Sequence, residues 1–198
     1  MKSFILCPDT EVSPALTLSD NGTCNEMIWE NGGSINTADY NLSNLEFLCE
    51  TLPAGKITDY AVSDTGCSVI SEQFKNFMDD LGIVNIQYFK ASVTEQEGKP
   101  AKTGYYAANI TGLIDCIDRN ASEMEAEPDK NGEYTIIFGI KKLVLKNNIT
   151  STGHIFRAAH FTRLILVDEF LKQKIDESSL EGIKLISPER WDGFYGEI

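Results

Sequence analysis

The chain has 198 residues, 42% of them hydrophobic and 24% charged, the composition of a globular protein with one large domain or two joined halves. Its 17 basic residues face 30 acidic ones, for a net charge of −13. A field of that sign repels nucleic-acid backbones and anionic membrane surfaces and attracts basic partners, so neither nucleic acid nor membrane is expected as a ligand.

The five cysteines, Cys7, Cys24, Cys49, Cys67 and Cys116, are odd in number, widely spaced and without a C-x-x-C pair. They indicate neither a disulfide framework nor a zinc site, and read as small buried hydrophobes. The opening Met1 to Pro8 offers too few apolar residues for a secretory leader. Later apolar runs such as Leu164 to Val167 fall far short of a membrane span, so a cytoplasmic location is expected.

Residues 1–58 are rich in Asn, Ser, Thr and Gly, with Asn31-Gly32-Gly33-Ser34 as the clearest breaker. Phe4-Ile5-Leu6, Met27-Ile28-Trp29 and Leu45 to Leu48 are short apolar islands, read as strands or single helical turns. The stretch is expected as an irregular, strand-poor portion packed on a core formed by residues 59–198.

A gapless internal repeat follows. Ile70-Ser71-Glu72-Gln73-Phe74-Lys75 aligns with Val167-Asp168-Glu169-Phe170-Leu171-Lys172, an offset of 97 positions that continues through Met78 with Ile175, Asp79 with Asp176 and Ile86 with Ile183. Each copy, at about 69–89 and 166–186, reads as strand end, helix cap, one short helix, turn and strand. In the first copy Ser71 is placed to cap the helix, with Glu72 beside the positive end of its dipole. Phe74, Phe77, Met78 and Leu81 fall on one face, and Gly82 suits the helix end. Ile83 to Val93 then reads as a strand.

Glu95 to Gly104 reads as an exposed loop, Tyr105 to Ile110 as a strand, and Leu113 to Ile117 as a short apolar element. Glu123 to Gly132 reads as an acidic loop, with Asn131-Gly132 as turn chemistry. Tyr134 to Leu145 reads as one or two strands broken near Gly139, and Ile155-Phe156 and Leu164 to Val167 lead into the second helix, capped by Asp168. With Lys174 and Ser178 in place of Phe77 and Leu81, that helix is expected closer to solvent. The aromatic tail Trp191 to Gly196 is expected to pack back onto the domain.

Three patterns bear on chemistry. Asp64-Thr65-Gly66 matches the turn from which aspartic proteases present an acid, but one copy per chain would require two chains to pair, and the same triplet is ordinary turn chemistry. His154 and His160, the only histidines, lack metal-ligand spacing, and no phosphate loop, dinucleotide fingerprint or nucleophile elbow occurs, so no catalytic residue, metal or cofactor is assigned. Two acidic groups, Asp79-Asp80 and Glu123, Glu125, Glu127, Asp129, are solvated surface or sites for lysines and arginines of a partner.

Phe156-Arg157, Leu164 to Lys172 and Leu180-Glu181-Gly182-Ile183-Lys184-Leu185 resemble the C-terminal segment of a bacterial immunity-protein family of polymorphic toxin systems, first catalogued as a domain of unknown function. Met1 to Phe4, Val69 to Lys75 and Tyr105 to Ile110 are similar to it as well. Glu181 departs from the small residue expected before Gly182. The resemblance implies a non-enzymatic antitoxin that binds and blocks a cognate toxin encoded beside it, and it transfers no catalytic residue. The expected fold is α+β and strand-rich, with two main helices and the repeat in its core. Toxin neutralisation by occlusion is the expected function. A hydrolase using Asp64 and a small-ligand-binding regulatory module are the alternatives.

Overall fold

The computed structural model describes residues 2–19, 27–95, 99–128, 130, 135–150 and 153–194. In chain order the strands are β1 (Ser3–Pro8), β2 (Ala15–Leu18), β3 (Leu45–Thr51), β4 (Tyr60–Val62), β5 (Ser68–Ser71), β6 (Ile86–Thr94), β7 (Lys102–Ile110), β8 (Leu113–Ile114), β9 (Glu123–Pro128), β10 (Thr135–Lys142), β11 (Ile155–Ala158), β12 (Ile165–Asp168) and β13 (Ile183–Ile186). The helices are α1 (Met27–Glu30), α2 (Glu72–Asp80) and α3 (Glu169–Asp176). The fold is strand-rich α+β, as the sequence leads one to expect.

The chain forms two compact units. Met1–Cys7, Gly112–Ser178 and Lys184–Ile198 make unit 1, while Pro8–Thr111 and Ser179–Ile183 make unit 2. Residues 1–58, read as strand-poor, contain β1, β2 and β3, and no unit boundary falls at residue 58. Two of the apolar islands, Phe4-Ile5-Leu6 and Leu45 to Leu48, are too short to show a period and become strands through long-range pairing, while Met27-Ile28-Trp29 lies in α1.

Unit 2 is built on a six-stranded sheet in the order β2-β3-β6-β7-β5-β4. Its core gathers Leu16, Trp29, Leu45, Phe47, Val69 and Val93, all nearly inaccessible to solvent. Burying each such side chain contributes on the order of 2 kcal/mol. Met27 to Glu30 is a single helical turn that delivers Trp29 to this core, its ring edge-on to Phe89 at 5.7 Å. Cys49 and Cys67 are buried here among the apolar side chains; Cys24 lies outside the described residues.

Unit 1 carries a five-stranded sheet in the order β13-β1-β12-β11-β8, and the separate hairpin β9-β10. Ile5, Phe156, Leu164, Leu166, Ile186 and Trp191 form the heart of its core, with Ile137 and Ile140 contributed by β10. The indole of Trp191 packs inward and donates to the carbonyl of Phe194 at 2.5 Å, while Phe194 itself is exposed. Of the expected aromatic packing Trp191 is present and Phe194 is not; Tyr195 and Gly196 lie outside the described residues.

Two loop readings are corrected. Glu123–Pro128 is a strand, pairing antiparallel with β10. Alternating Glu with Met124 and Ala126 is a period of two, and cross-strand pairing outweighs the low strand propensity of glutamate. Within the expected loop Glu95 to Gly104, β7 already begins at Lys102, paired with Val93. The expected interruption near Gly139 is a pair of irregularities in one continuous strand.

The first copy of the repeat lies in unit 2 and the second in unit 1 apart from Ser179–Ile183, and the equivalence extends beyond the repeat. In unit 2 the order β4-β5-β7-β6 places β7 between the two strands joined through α2; in unit 1 the order β11-β12-β1-β13 places β1 between those joined through α3. Pairing is in step: Val69 faces Ala107 and Ile70 faces Tyr106, as Leu166 faces Ile5 and Val167 faces Phe4. Ala61 faces Val69 as Phe156 faces Leu166, so β4 and β11 correspond. The duplicated object is therefore a four-stranded sheet with one helix, whose third strand comes from a different part of the chain in each copy.

The helices form for the same local reasons. The Ser71 hydroxyl accepts from the Phe74 amide at 3.1 Å, and the Asp168 carboxylate accepts from the Leu171 amide at 2.9 Å. Phe74 and Met78 are buried under α2, Leu171 and Ile175 under α3, each pair one turn apart. Both helices bury two side chains, so the second is no more solvent-facing in this respect. At the end of α2, Gly82 adopts φ 71° and the Ile83 amide returns to the Met78 carbonyl at 3.1 Å, the closed turn that a left-handed glycine permits. Lys75 bonds Asp79 at 2.6 Å and lies over the Tyr106 ring at 5.8 Å. Its counterpart Lys172 bonds Asp176 and lies over Phe4 at 5.1 Å.

Candidate functional site

The acidic residues proposed from sequence fall into two settings. Asp79 and Asp80 end α2 in unit 2, both exposed. Asp79 is engaged by Lys75, whose pKa it raises by accepting its hydrogen bond, so the two neutralise one another locally. Lys75 in turn lies over the rings of Tyr88 and Tyr106, at 5.2 and 5.8 Å.

Glu123, Glu125 and Glu127 lie together on β9 in unit 1, all exposed. Met124, between them, is half-buried and packs against the core, so the alternation of the strand sends the three carboxylates to the opposite side. Glu125 pairs with Lys141 of β10 at 3.0 Å, both side chains largely in solvent. Asp129, the fourth acid of the expected cluster, lies outside the described residues. Beside them on β10, Phe138 is 60% exposed, an aromatic that the unbroken apolar run Ile136 to Phe138 does not single out.

Asp64-Thr65-Gly66 forms the turn between β4 and β5. The Asp64 carboxylate accepts the amide of Leu18 at 3.0 Å, and the Asp64 amide donates to the carbonyl of Leu16 at 2.9 Å. The Ser63 and Thr65 hydroxyls are 2.8 Å apart. This carboxylate is a fastener for β2, and its bonding is what turn chemistry requires.

The histidines occupy one end each of the β11–β12 hairpin. His154, before β11, meets the Asp168 carboxylate through Nδ1 at 2.8 Å and lies against Phe170, ring centroids 4.5 Å apart and planes tilted by 39°. His160, within the hairpin turn, has φ 69°, the only non-glycine residue with positive φ among those described. Arg157, buried in β11, donates from Nη1 to the Thr162 carbonyl at 2.7 Å and fixes that turn. Burial, and then the charge of Arg119, hold the His160 pKa below its ordinary value. The hydrogen bond from Lys146, 2.8 Å away, holds Asp115 below the usual carboxylate range. Neither the buried arginine nor this cluster is visible in the sequence, because Asp115 and Arg119 follow β8 while Lys146 and His160 come from later segments.

Burial pushes the thiols of Cys7 and Cys116 up to about 12 and that of Cys49 up to about 11, so all three stay protonated and unreactive near neutrality. Among the described residues no three His, Cys, Asp or Glu side chains are arranged to hold a metal ion. A hollow in unit 2 is lined by Thr37 to Ser43 and Phe89, with Asp39 as its one charged residue, and presents no converging acid–base pair. No helix among the described residues is long and apolar enough to cross a membrane.

The acids Asp79, Asp80, Glu123, Glu125 and Glu127 are thus exposed, and Asp64, Arg157 and Asp168 are engaged in holding turns and a cap. Such a surface can bind, and among the described residues no nucleophile, base and oxyanion donors are brought together. No curated protein matches the chain. The pattern of the immunity protein family Imm11 matches residues 26–188, which spans both copies of the repeat and most of both units. This chain belongs to the Imm11 immunity protein family.

Proposed function

We propose that this protein is a non-enzymatic antitoxin, which binds a cognate toxin domain and blocks it by occlusion. The observation that carries the reading is the family match over residues 26–188. The charge of −13 supports a basic partner, since complementary fields raise the encounter rate and reject acidic competitors. Fast capture matters to an antitoxin, which has to bind its toxin before the toxin finds a substrate.

The engagement of Asp64 with the Leu18 amide supports a structural role for the Asp-Thr-Gly turn over the protease alternative. Co-expression with the toxin domain encoded beside this gene tests the proposal, scored by survival and co-purification. Rescue together with a stable complex is the expected result. Growth arrest with no complex overturns the reading.

A further inference from the structure

The hairpin β9-β10 is a two-stranded sheet, and among the described residues no strand pairs with the outer side of β9. Glu123, Glu125, Ala126, Glu127 and Pro128 are exposed, and no backbone hydrogen bond links them to another loop among the described residues. An open strand side is a row of unmet N–H and C=O groups, ready to accept one more strand. Six extended residues offer about 20 Å of such backbone.

The inner side of the hairpin is fixed. Ile137, Ile140 and Met124 pack into the core of unit 1, so β9 is held as a preformed template. A two-stranded ribbon without that anchorage would be marginal in water. An incoming segment would meet a strand already ordered, and would bear the ordering entropy alone.

Charge selects what could dock. Glu123, Glu125 and Glu127 project from one face at alternate positions; Lys142 is the cross-strand neighbour of Glu123, but neither Glu123 nor Glu127 forms an ion pair among the described residues. A second copy of this edge would set like charges opposite one another, which is destabilising. A strand with lysine or arginine at alternate positions would set opposite charges there. Lys141, in solvent beside Glu125, forms an exposed pair of little energetic weight that such a partner could replace.

We propose that β9 is the docking edge for the toxin: an extended basic segment of the toxin adds to its open side as a further strand, its cations facing Glu123, Glu125 and Glu127. The proposal rests on the antitoxin reading and specifies where and how the partner is held. Main-chain bonds would supply affinity, and the three carboxylates would supply register and selectivity.

Amide hydrogen exchange on the free protein and on its complex with the toxin domain encoded beside it tests this. The expected result is exchange slowed at least about tenfold at amides within residues 123–127 on complex formation. The variant carrying Glu123→Lys, Glu125→Lys and Glu127→Lys should associate at least about tenfold more slowly at low salt, with a flatter salt dependence. The corresponding Glu→Gln variant, which conserves shape, should fall between the two, and melting curves check that both remain folded. A neutralising complex in which β9 exchanges as in the free protein, with unchanged association by the lysine variant, overturns the proposal and leaves the antitoxin reading intact. Absence of any complex with the unaltered protein overturns both.

Discussion

Asp168 caps α3 with one carboxylate oxygen and holds Nδ1 of His154 at 2.8 Å with the other. At the matching place in unit 2 the roles are exchanged: the cap is the Ser71 hydroxyl, which donates to the Asp59 carboxylate at 2.5 Å. In both units the cap residue's amide donates to the carbonyl of that partner at 3.0 Å, Asp168 to His154 and Ser71 to Asp59. The two copies have kept one carboxylate and one donor at this junction and moved the carboxylate from one side to the other. The Asp59 carboxylate also accepts the Glu181 amide at 2.8 Å, so unit 2 uses it to bind a second segment.

The caps therefore differ in what their removal exposes. Ser71→Ala should cost about 1 kcal/mol, the usual loss for a hydroxyl cap. Asp168→Ala, which strips the cap and leaves His154 without its carboxylate, should cost about 2 kcal/mol. Urea denaturation of the two variants measures both. A double-mutant cycle with His154→Ala should return a coupling energy above about 0.5 kcal/mol.

Gly182 has φ 83°, and a Cβ there would come within 2.4 Å of the Thr58 hydroxyl and 2.6 Å of that of Ser13. Those hydroxyls are themselves engaged, Ser13 with the carbonyls of Tyr60 and Gly182, each at 2.9 Å. Gly182→Ala should destabilise by more than about 2 kcal/mol, combining backbone strain with a displaced buried network. Gly55, with φ 67° and open space around it, is the control; Gly55→Ala should cost about 1 kcal/mol from backbone strain alone. Equal losses in the two variants would show that the Ser13–Thr58 network yields freely.

His160 makes stability depend on pH. Its folded pKa lies below the unfolded value of about 6.5, so the unfolded chain takes up the proton first as pH falls. Its contribution is intact above about pH 6.5 and is lost progressively below it. The difference in melting temperature between the unaltered protein and His160→Gln should therefore change between pH 7.5 and pH 5. An imidazole proton titrating above pH 6.5 in NMR would contradict the assignment.

The buried thiols should be silent towards a disulfide reagent in the folded protein. With Cys7 and Cys116 raised to about 12 and Cys49 to about 11, thiolate is negligible at pH 8 and access is closed. Titration with Ellman's reagent should show these three reacting only after guanidinium unfolds the chain. Prompt reaction of Cys49 in the native protein would mean that β3 opens locally.

Asp64→Ala separates the turn role from a catalytic one. Removing the acceptor for the Leu18 amide should lower stability by about 1 kcal/mol while toxin neutralisation is retained. Loss of a peptidase activity in this variant, with stability unchanged, would reverse that assignment.

The helices and their caps were readable because their causes are local. Ser71 and Asp168 lie three residues before the amides they accept, and Phe74, Met78, Leu171 and Ile175 recur one turn apart. The wider duplication was not readable. Tyr60-Ala61-Val62 and Ile155-Phe156-Arg157 share no residue type in step, and their equivalence exists only in pairing with β5 and β12. The strand β9 was hidden by composition, since glutamate and proline signal loops; only its period of two hinted at the pairing with β10. Of the acids named from charge alone, Glu123, Glu125 and Glu127 share one strand face, while Asp79 is engaged by Lys75 on the other unit.

The strand between the halves of each repeat has a consequence for synthesis. β7 leaves the ribosome directly after β6, so its sheet can close as soon as it emerges. β1 is translated before every strand of the sheet of unit 2, yet its neighbours β12 and β13 follow all of them. At ordinary elongation rates they arrive on the order of ten seconds later. Throughout that interval Phe4, Ile5, Leu6 and Cys7, all buried in the finished fold, travel as an unpartnered apolar segment on the nascent chain. A ribosome that stops before residue 165 would release a chain able to complete the sheet of unit 2 while β1 still lacks both its neighbours.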